Sequence, residues 1–396
     1  VGPLATGGSR VFDLPSAGRA LSGFFLSGLL FALIGALLPA WGYHLHSDFI
    51  SAGNYFLTLA AGVIAAALLR RPILKKAGLG RLLPGACALV CLALFYLAGM
   101  SPPANPLWRL PGMFLAGFAT ALLNSGLFYA ISPAYQSDPA TTITGGGVFF
   151  GIGCVASAIL VSGSFYLYTA RGILLLVSVI PAGFAVWYAL SKWPSPPLED
   201  EPTLAQTARD FKSLSAILLA LLLFFQFGNE WALAGWLPLF LIRRLGISPE
   251  SSLVFTGVYW MALLLGRLAA LLLLPVVRHT RLLLASALAA QFGCVILTFT
   301  NNRFGAITGI LLVGAGFATI YPLVAERIGT RFPYYHPGVF NGVFSFGLMG
   351  GLLAPATVGY LAEAFGISAV MGVPFLGTAM VSLLILLIWL DARISG

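Results

Sequence analysis

The sequence predicts an all-α polytopic membrane protein of twelve spans, arranged as two similar six-helix halves. Composition, the spacing of long apolar runs and an internal repeat lead to that expectation. Of 396 residues, 59% are hydrophobic and only 8% are charged, against roughly 25% charged in an ordinary soluble domain. With 21 basic and 12 acidic side chains, a chain this long cannot cover itself with a polar exterior, so lipid must face much of it. A helical span needs about 20 apolar residues to cross a hydrocarbon core of ~30 Å. The apolar runs are continuous rather than alternating, which argues against a transmembrane β-barrel.

The runs read as spans at Leu21–Trp41, Ile50–Leu69, Leu83–Met100, Leu110–Ile131, Ile143–Ser164, Ile173–Leu190, Ser215–Leu241, Leu253–Leu274, Leu283–Thr300, Phe304–Ala325, Phe340–Ala362 and Val370–Leu390. Val1 to Leu14 lacks a basic start followed by a short apolar core and cleavage site, so no removable signal peptide is expected. The longest polar segment, Lys192 to Lys212, holds Pro194, Pro196, Pro197 and the run Glu199, Asp200, Glu201. Such a Pro-rich, charged stretch reads as a linker. The expected division is an N-terminal bundle over 1–191, a cytoplasmic linker over 192–212 and a C-terminal bundle over 213–396.

The repeat supports that division. Gly117-Phe118-Ala119-Thr120 in the fourth span recurs as Gly316-Phe317-Ala318-Thr319 in the tenth, 199 positions on, and Gly147-Val148-Phe149 recurs as Gly342-Val343-Phe344, 195 positions on. An even number of spans per half gives both copies the same orientation, a parallel repeat about an axis along the membrane normal.

The formal charge of +9 is explained by membrane orientation, and no nucleic-acid partner is expected. With the N-terminus in the cytoplasm, fifteen Lys and Arg fall on the cytoplasmic side and five on the other, with Arg267 inside a span; this satisfies the positive-inside rule and places both termini in the cytoplasm. Cys87, Cys91, Cys154 and Cys294 all lie in apolar runs, so no disulfide framework is implied. No metal-binding or nucleotide-binding motif is present, and no cofactor is expected. His44, His46 and Asp48 alternate through the first outer loop, where a solvated loop outweighs a metal site or pH sensor.

Six plus six spans, a central linker and basic loops after the second and eighth spans resemble the major facilitator superfamily over essentially the whole length. The loop Leu69-Arg70-Arg71-Pro72-Ile73-Leu74-Lys75-Lys76-Ala77-Gly78-Leu79-Gly80-Arg81 is similar to a degraded form of the family's loop signature, without its Asp. The second copy keeps Gly266-Arg267 and then Arg278-His279-Thr280-Arg281. In the seventh span, Gly228-Asn229-Glu230-Trp231-Ala232-Leu233-Ala234-Gly235-Trp236-Leu237 resembles the fucose and glucose/galactose proton-symporter branch. Gly35-Ala36-Leu37-Leu38-Pro39 and Ala318-Thr319-Ile320-Tyr321-Pro322 are similar to it too, although the first and fourth spans lack the acidic residues on which fucose permeases rely. The resemblance implies the major facilitator fold and secondary active transport of a small solute by alternating access, not an enzyme.

Gln226, Asn229 and Glu230 stand at i, i+3 and i+4 and so share a helical face. An ionisable residue within a span is a functional candidate by default, which makes Glu230 the main candidate for substrate binding and proton coupling. The alternative is a structural pair with a group on the first, eighth or eleventh span. Asn124, one turn from Thr120, together with Asn341, Tyr259, Tyr321 and Trp231, completes the candidate substrate site. Plain interhelical bonding or packing is the competing reading for these residues, and for Trp260. Arg267, Glu326 and Arg327 are expected in a cytoplasmic gating layer. Amide and carboxylate groups flanked by Trp231 and Trp236 suit a sugar or polyol. A drug or amphiphile exporter and a non-transporting sensor or assembly factor are the alternatives. The expected setting is a monomer in lipid, in a bacterial inner membrane.

Overall fold

The computed structural model describes every residue except 1–14, 47, 138, 194–210, 212, 274–275, 332–341 and 395–396. The described residues fold into α1 (Pro15–Ala40), α2 (Phe49–Ala77), α3 (Leu79–Gly99), α4 (Leu110–Ser137), α5 (Pro139–Ser164), α6 (Ala170–Ala189), α7 (Leu214–Leu245), α8 (Pro249–Leu273), α9 (His279–Phe299), α10 (Arg303–Arg331), α11 (Gly342–Phe365) and α12 (Gly372–Ile394). All twelve contain a stretch long and apolar enough to cross a membrane, so the chain is a multi-pass membrane protein. Helices are the expected solution in lipid, where each backbone N–H and C=O must find its partner within the segment.

Several helices outrun their apolar stretches. The second span, expected to end at Leu69, continues through Arg70, Arg71 and Pro72 to Ala77. The expected basic loop at Arg70–Arg81 is therefore almost entirely helical. One residue, Gly78, separates α2 from α3, with φ +66° and its N–H bonded to the Leu74 carbonyl at 2.9 Å. Hydropathy marks the hydrocarbon boundary, whereas the hydrogen-bond ladder stops only where the backbone leaves helical dihedrals. Glycine permits that departure at Gly78.

Helix pairing in the first six helices recurs six helices later. α1 packs on α5, α2 on α4 and α3 on both α4 and α6; correspondingly α7 packs on α11, α8 on α10 and α9 on both α10 and α12. The tightest contacts repeat as well. A Cβ at Gly153 would collide with the Phe25 carbonyl where α5 meets α1, and one at Gly350 with the Phe224 carbonyl where α11 meets α7. Gly153 to Gly350 is 197 positions and Phe25 to Phe224 is 199, in line with the offsets of the sequence repeat.

Between the two groups, α1 meets α7, α2 meets α11 and α5 meets α8. Many of these bonds lie at the face opposite the linker. Tyr360 Oη donates to Asn54 Oδ1 at 2.6 Å, the Phe49 N–H donates to Glu363 Oε2 at 3.0 Å, and Ser162 Oγ donates to the Glu250 carbonyl at 3.3 Å. Small residues let α2 and α11 approach, as in other membrane helix pairs: a Cβ on Gly359 would stand 2.6 Å from the Gly53 Cα and 2.8 Å from the Phe49 carbonyl. Gly359→Val should therefore force the two helices apart at a cost of about 1–3 kcal/mol. Thermal unfolding of the detergent-solubilised protein checks this, with Gly163→Ala, where an added Cβ meets nothing within 4 Å, expected to melt like the parent.

Candidate functional site

The middle of α7 carries Gln226, Asn229 and Glu230, all buried. The structure directs them differently. Glu230 Oε1 lies 3.7 Å from Arg267 Nη2 on α8, with the two side chains only 6% and 11% exposed. Arg267 Nη1 donates across to the Gly147 carbonyl on α5 at 3.2 Å. Arg267, expected in a gating layer apart from the substrate cluster, thus joins Glu230, and Glu230 takes the helix-8 partner that was its structural alternative. At 3.7 Å the pair is longer than a tight charge-assisted hydrogen bond of about 2.7–2.9 Å, and Arg267 Nε has no partner.

Gln226 is within electrostatic reach of Glu230, yet neither atom of its amide forms a hydrogen bond of acceptable geometry. Tyr259 is within the same reach of Glu230 and Arg267, and its hydroxyl is also unpartnered. The centre therefore gathers one carboxylate, one guanidinium and several idle polar groups. Buried polar groups are ordinarily bonded, so this arrangement can receive a polar solute without first breaking strong internal bonds.

The other candidates part from this cluster. Asn229 turns toward α12, where a Cβ on Gly377 would collide with its Oδ1. Asn124 accepts a hydrogen bond from Ser27 Oγ of α1 at 2.6 Å. Tyr321 packs its ring on Phe227 with centroids 5.3 Å apart. Trp231 lies over Gly351 of α11 and meets Phe31 of α1. Glu326 pairs with His279 Nδ1 at 3.2 Å, both about half exposed, and Arg327 is next to it on α10. Asn341 lies outside the described residues.

Comparison with known proteins places this arrangement. No protein-family model matches the sequence. An uncharacterised MFS-type transporter of Yersinia pestis is 23% identical over 377 residues, covering 93% of each chain. The solved nucleoside transporter NupG, in mutant form, superposes with a TM-score of 0.71 at 15% identity, covering 94% of this chain and 99% of NupG. The Escherichia coli fucose:proton symporter FucP, also as a mutant, gives 0.64 at 16% identity, covering 96% and 99%. The chain has the major facilitator fold. The proteins it is similar to are transporters, not enzymes.

Within this fold, several structured groups carry no sequence signal. Ser27 is one hydroxyl in an apolar run. Arg109, which charge counting assigns to an outer loop, is buried and donates to the carbonyls of Met100 and Ala104 and to Tyr55 Oη, with its guanidinium 5.0 Å from the Trp41 ring centroid. It pins the α3–α4 connection to α1 and α2. Asp48, in the first outer loop, read as solvated rather than as a metal or pH site, caps α2 by accepting from the Ser51 N–H at 3.1 Å. Burial lowers His44 below the ordinary imidazole range, so it is neutral at pH 7. Among the described residues no three His, Cys, Asp or Glu side chains gather to hold a metal ion.

The charge pair yields a stability prediction. Removing one partner of a buried pair strands the other charge and typically costs about 3–5 kcal/mol, whereas removing both for apolar groups is far milder. Arg267→Met and Glu230→Leu should each lower the melting temperature sharply, and the double variant should recover much of the loss. Equal, additive losses in a double-mutant cycle would show that the two side chains do not interact.

Proposed function

We propose that the protein is a secondary active transporter that moves a small neutral solute, a sugar or a related polyhydroxylated compound, by alternating access about the Glu230–Arg267 centre. The carrying observation is that Arg267 is bonded at once to Glu230 within the last six helices and to Gly147 of α5 in the first six. Relative motion of the two groups of helices must break or remake that second bond. A fold shared with a nucleoside transporter and a fucose:proton symporter supports the reading.

In this proposal residues 1–191 and 213–396 form two rocking bundles joined by the 192–212 linker, in a monomer of the bacterial inner membrane with both termini cytoplasmic. Glu230 carries the coupling proton. Ionised, it balances Arg267 and leaves that guanidinium on the Gly147 carbonyl. Protonated, it strands the arginine charge in a low-dielectric centre, a situation relieved by admitting water or solute. Gln226 and Tyr259 supply bonds to solute hydroxyls, while Asn124 and Tyr321 belong to the surrounding walls. Arg267 serves as both gate and site, and Glu326 and Arg327 act at the linker face.

Proteoliposomes test this with labelled monosaccharides, polyols and nucleosides. Glu230→Gln should exchange solute in counterflow yet lose uphill accumulation driven by a pH gradient. If the carboxylate only accepts a hydrogen bond from solute, the variant should instead bind more weakly and keep gradient-driven uptake. Parental affinity together with parental accumulation would return Glu230 to a structural pair.

A further inference from the structure

The tryptophan indoles of this chain are treated unequally. Trp41 Nε1 donates to Ser101 Oγ at 3.4 Å, Trp193 Nε1 to the Tyr188 carbonyl at 3.1 Å and Trp236 Nε1 to the Pro355 carbonyl at 2.8 Å. Trp260 is 0% exposed, and its Nε1–H has no acceptor. A buried indole N–H normally finds a partner, and leaving one unmade is costly.

Aromatic rings pack on Trp260, Tyr259 among them with centroids 4.8 Å apart. Phe31 of α1 sets its ring edge-on to Trp260, with centroids 5.8 Å apart at 72°, and edge-on to Trp231 at 5.0 Å and 70°. Phe150 of α5 backs it at 5.5 Å. One phenyl ring from the first six helices is thus held by two indoles from α7 and α8. Trp231 is next to Glu230 in sequence, and Tyr259, next to Trp260, is within electrostatic reach of Glu230 and Arg267. Trp231 can lie flat against α11 because Gly351 has no side chain: a Cβ there would stand 2.8 Å from the indole ring.

We propose that Trp231 and Trp260 form the seat for a ring of the transported solute, and that Phe31 fills this seat when it is empty. The inference rests on the transport reading of the Glu230 centre and narrows its substrate class. Phe31 satisfies the aromatic faces but offers nothing to the Trp260 N–H. A solute ring with an oxygen at its edge satisfies both, while hydroxyls on the same solute reach Gln226, Tyr259 and Glu230. A pyranose or a nucleoside has this form. An open-chain polyol does not, because it presents no continuous apolar face to the indoles. Phe31 also gives the seat a link to motion: a shift of α1 against α7 and α8 draws it away from the two indoles, so separating the helix groups favours seating a ring.

Binding to the full-length protein in nanodiscs, followed by titration calorimetry with L-fucose, uridine and sorbitol, tests the assignment. The parent should bind at least one ring-bearing probe about tenfold or more tightly than sorbitol. Trp260→Phe keeps the ring and removes the N–H, so it should weaken that binding by about tenfold, the worth of one well-made hydrogen bond. Deleting the second fused ring of a fully buried indole leaves a cavity, so a modest loss of melting temperature is expected and the binding comparison is made on folded protein. Phe31→Leu retains apolar packing without a ring and should tighten binding severalfold by removing the seat's internal competitor. Binding of a ring-bearing probe that is unchanged in Trp260→Phe and Phe31→Leu would overturn the seat and leave the transport centre standing. Equal affinity for sorbitol would overturn the ring preference. Binding of none of the three probes would count against the polyhydroxylated-solute reading itself, and the seat would fall with it.

Discussion

A guanidinium within the membrane must be balanced, and the centre of this protein is organised around that requirement. Arg267 is held on one side by Glu230 at 3.7 Å and on the other by the Gly147 carbonyl at 3.2 Å. Neither contact alone suffices. The carboxylate offsets the charge, while the carbonyl occupies one end of the guanidinium and ties α8 to α5. A Cβ at 147 would stand 3.5 Å from Arg267 Nη1, an ordinary van der Waals contact, so it is the backbone carbonyl and not the missing side chain that makes this position count. A charge placed so that its satisfaction requires both groups of helices makes their relative position an electrostatic matter as well as a packing one.

The remaining contacts between the groups have a different character. Toward the face opposite the linker they are close, small-residue and uncharged at the backbone, with Gly53 against Gly359, and Gly35 of α1 against the Ala234 carbonyl of α7. Polar side chains flank them: Asn54 with Tyr360, and Glu363 on the first N–H of α2. That last contact places a carboxylate at a helix N-terminus, where the unpaired N–H groups and the helix dipole favour negative charge. Asp48 serves the same terminus from within its own loop. A cavity of about 280 Å³ lined by Phe49, Arg243 and Glu363 opens beside this contact.

The fold was readable because its determinants are one-dimensional. Twelve apolar runs and a half-length repeat follow from lipid thickness and from duplication, and both survive in composition alone. The site was legible only in part. Glu230 stands out as a carboxylate in an apolar helix, but its partner is 37 residues away on α8, and no periodicity within one helix reports such a pairing. The i, i+3, i+4 rule placed Asn229 on the face of Glu230, yet a three-residue step is 300° of rotation and a four-residue step 400° on a helix of about 3.6 residues per turn. A difference of that size is enough to send Asn229 to α12 and leave Glu230 facing α8. Phe31 had no signal at all. It is one of 30 phenylalanines, and only the indoles around it distinguish it.

The junction at Gly78 has a mechanical meaning beyond its place in the helix register. Two long rods, α2 and α3, share a joint of a single residue, so there is no slack between them. A loop of a dozen residues could take up a tilt of α2 by changing shape, but one residue offers only its own two soft dihedrals. Because α2 bears on α11 toward its other end while α3 bears on α6, any tilt of α2 at its contact with α11 has to be absorbed by the two dihedrals of Gly78 or handed on to α3 and the outer wall of the first six helices.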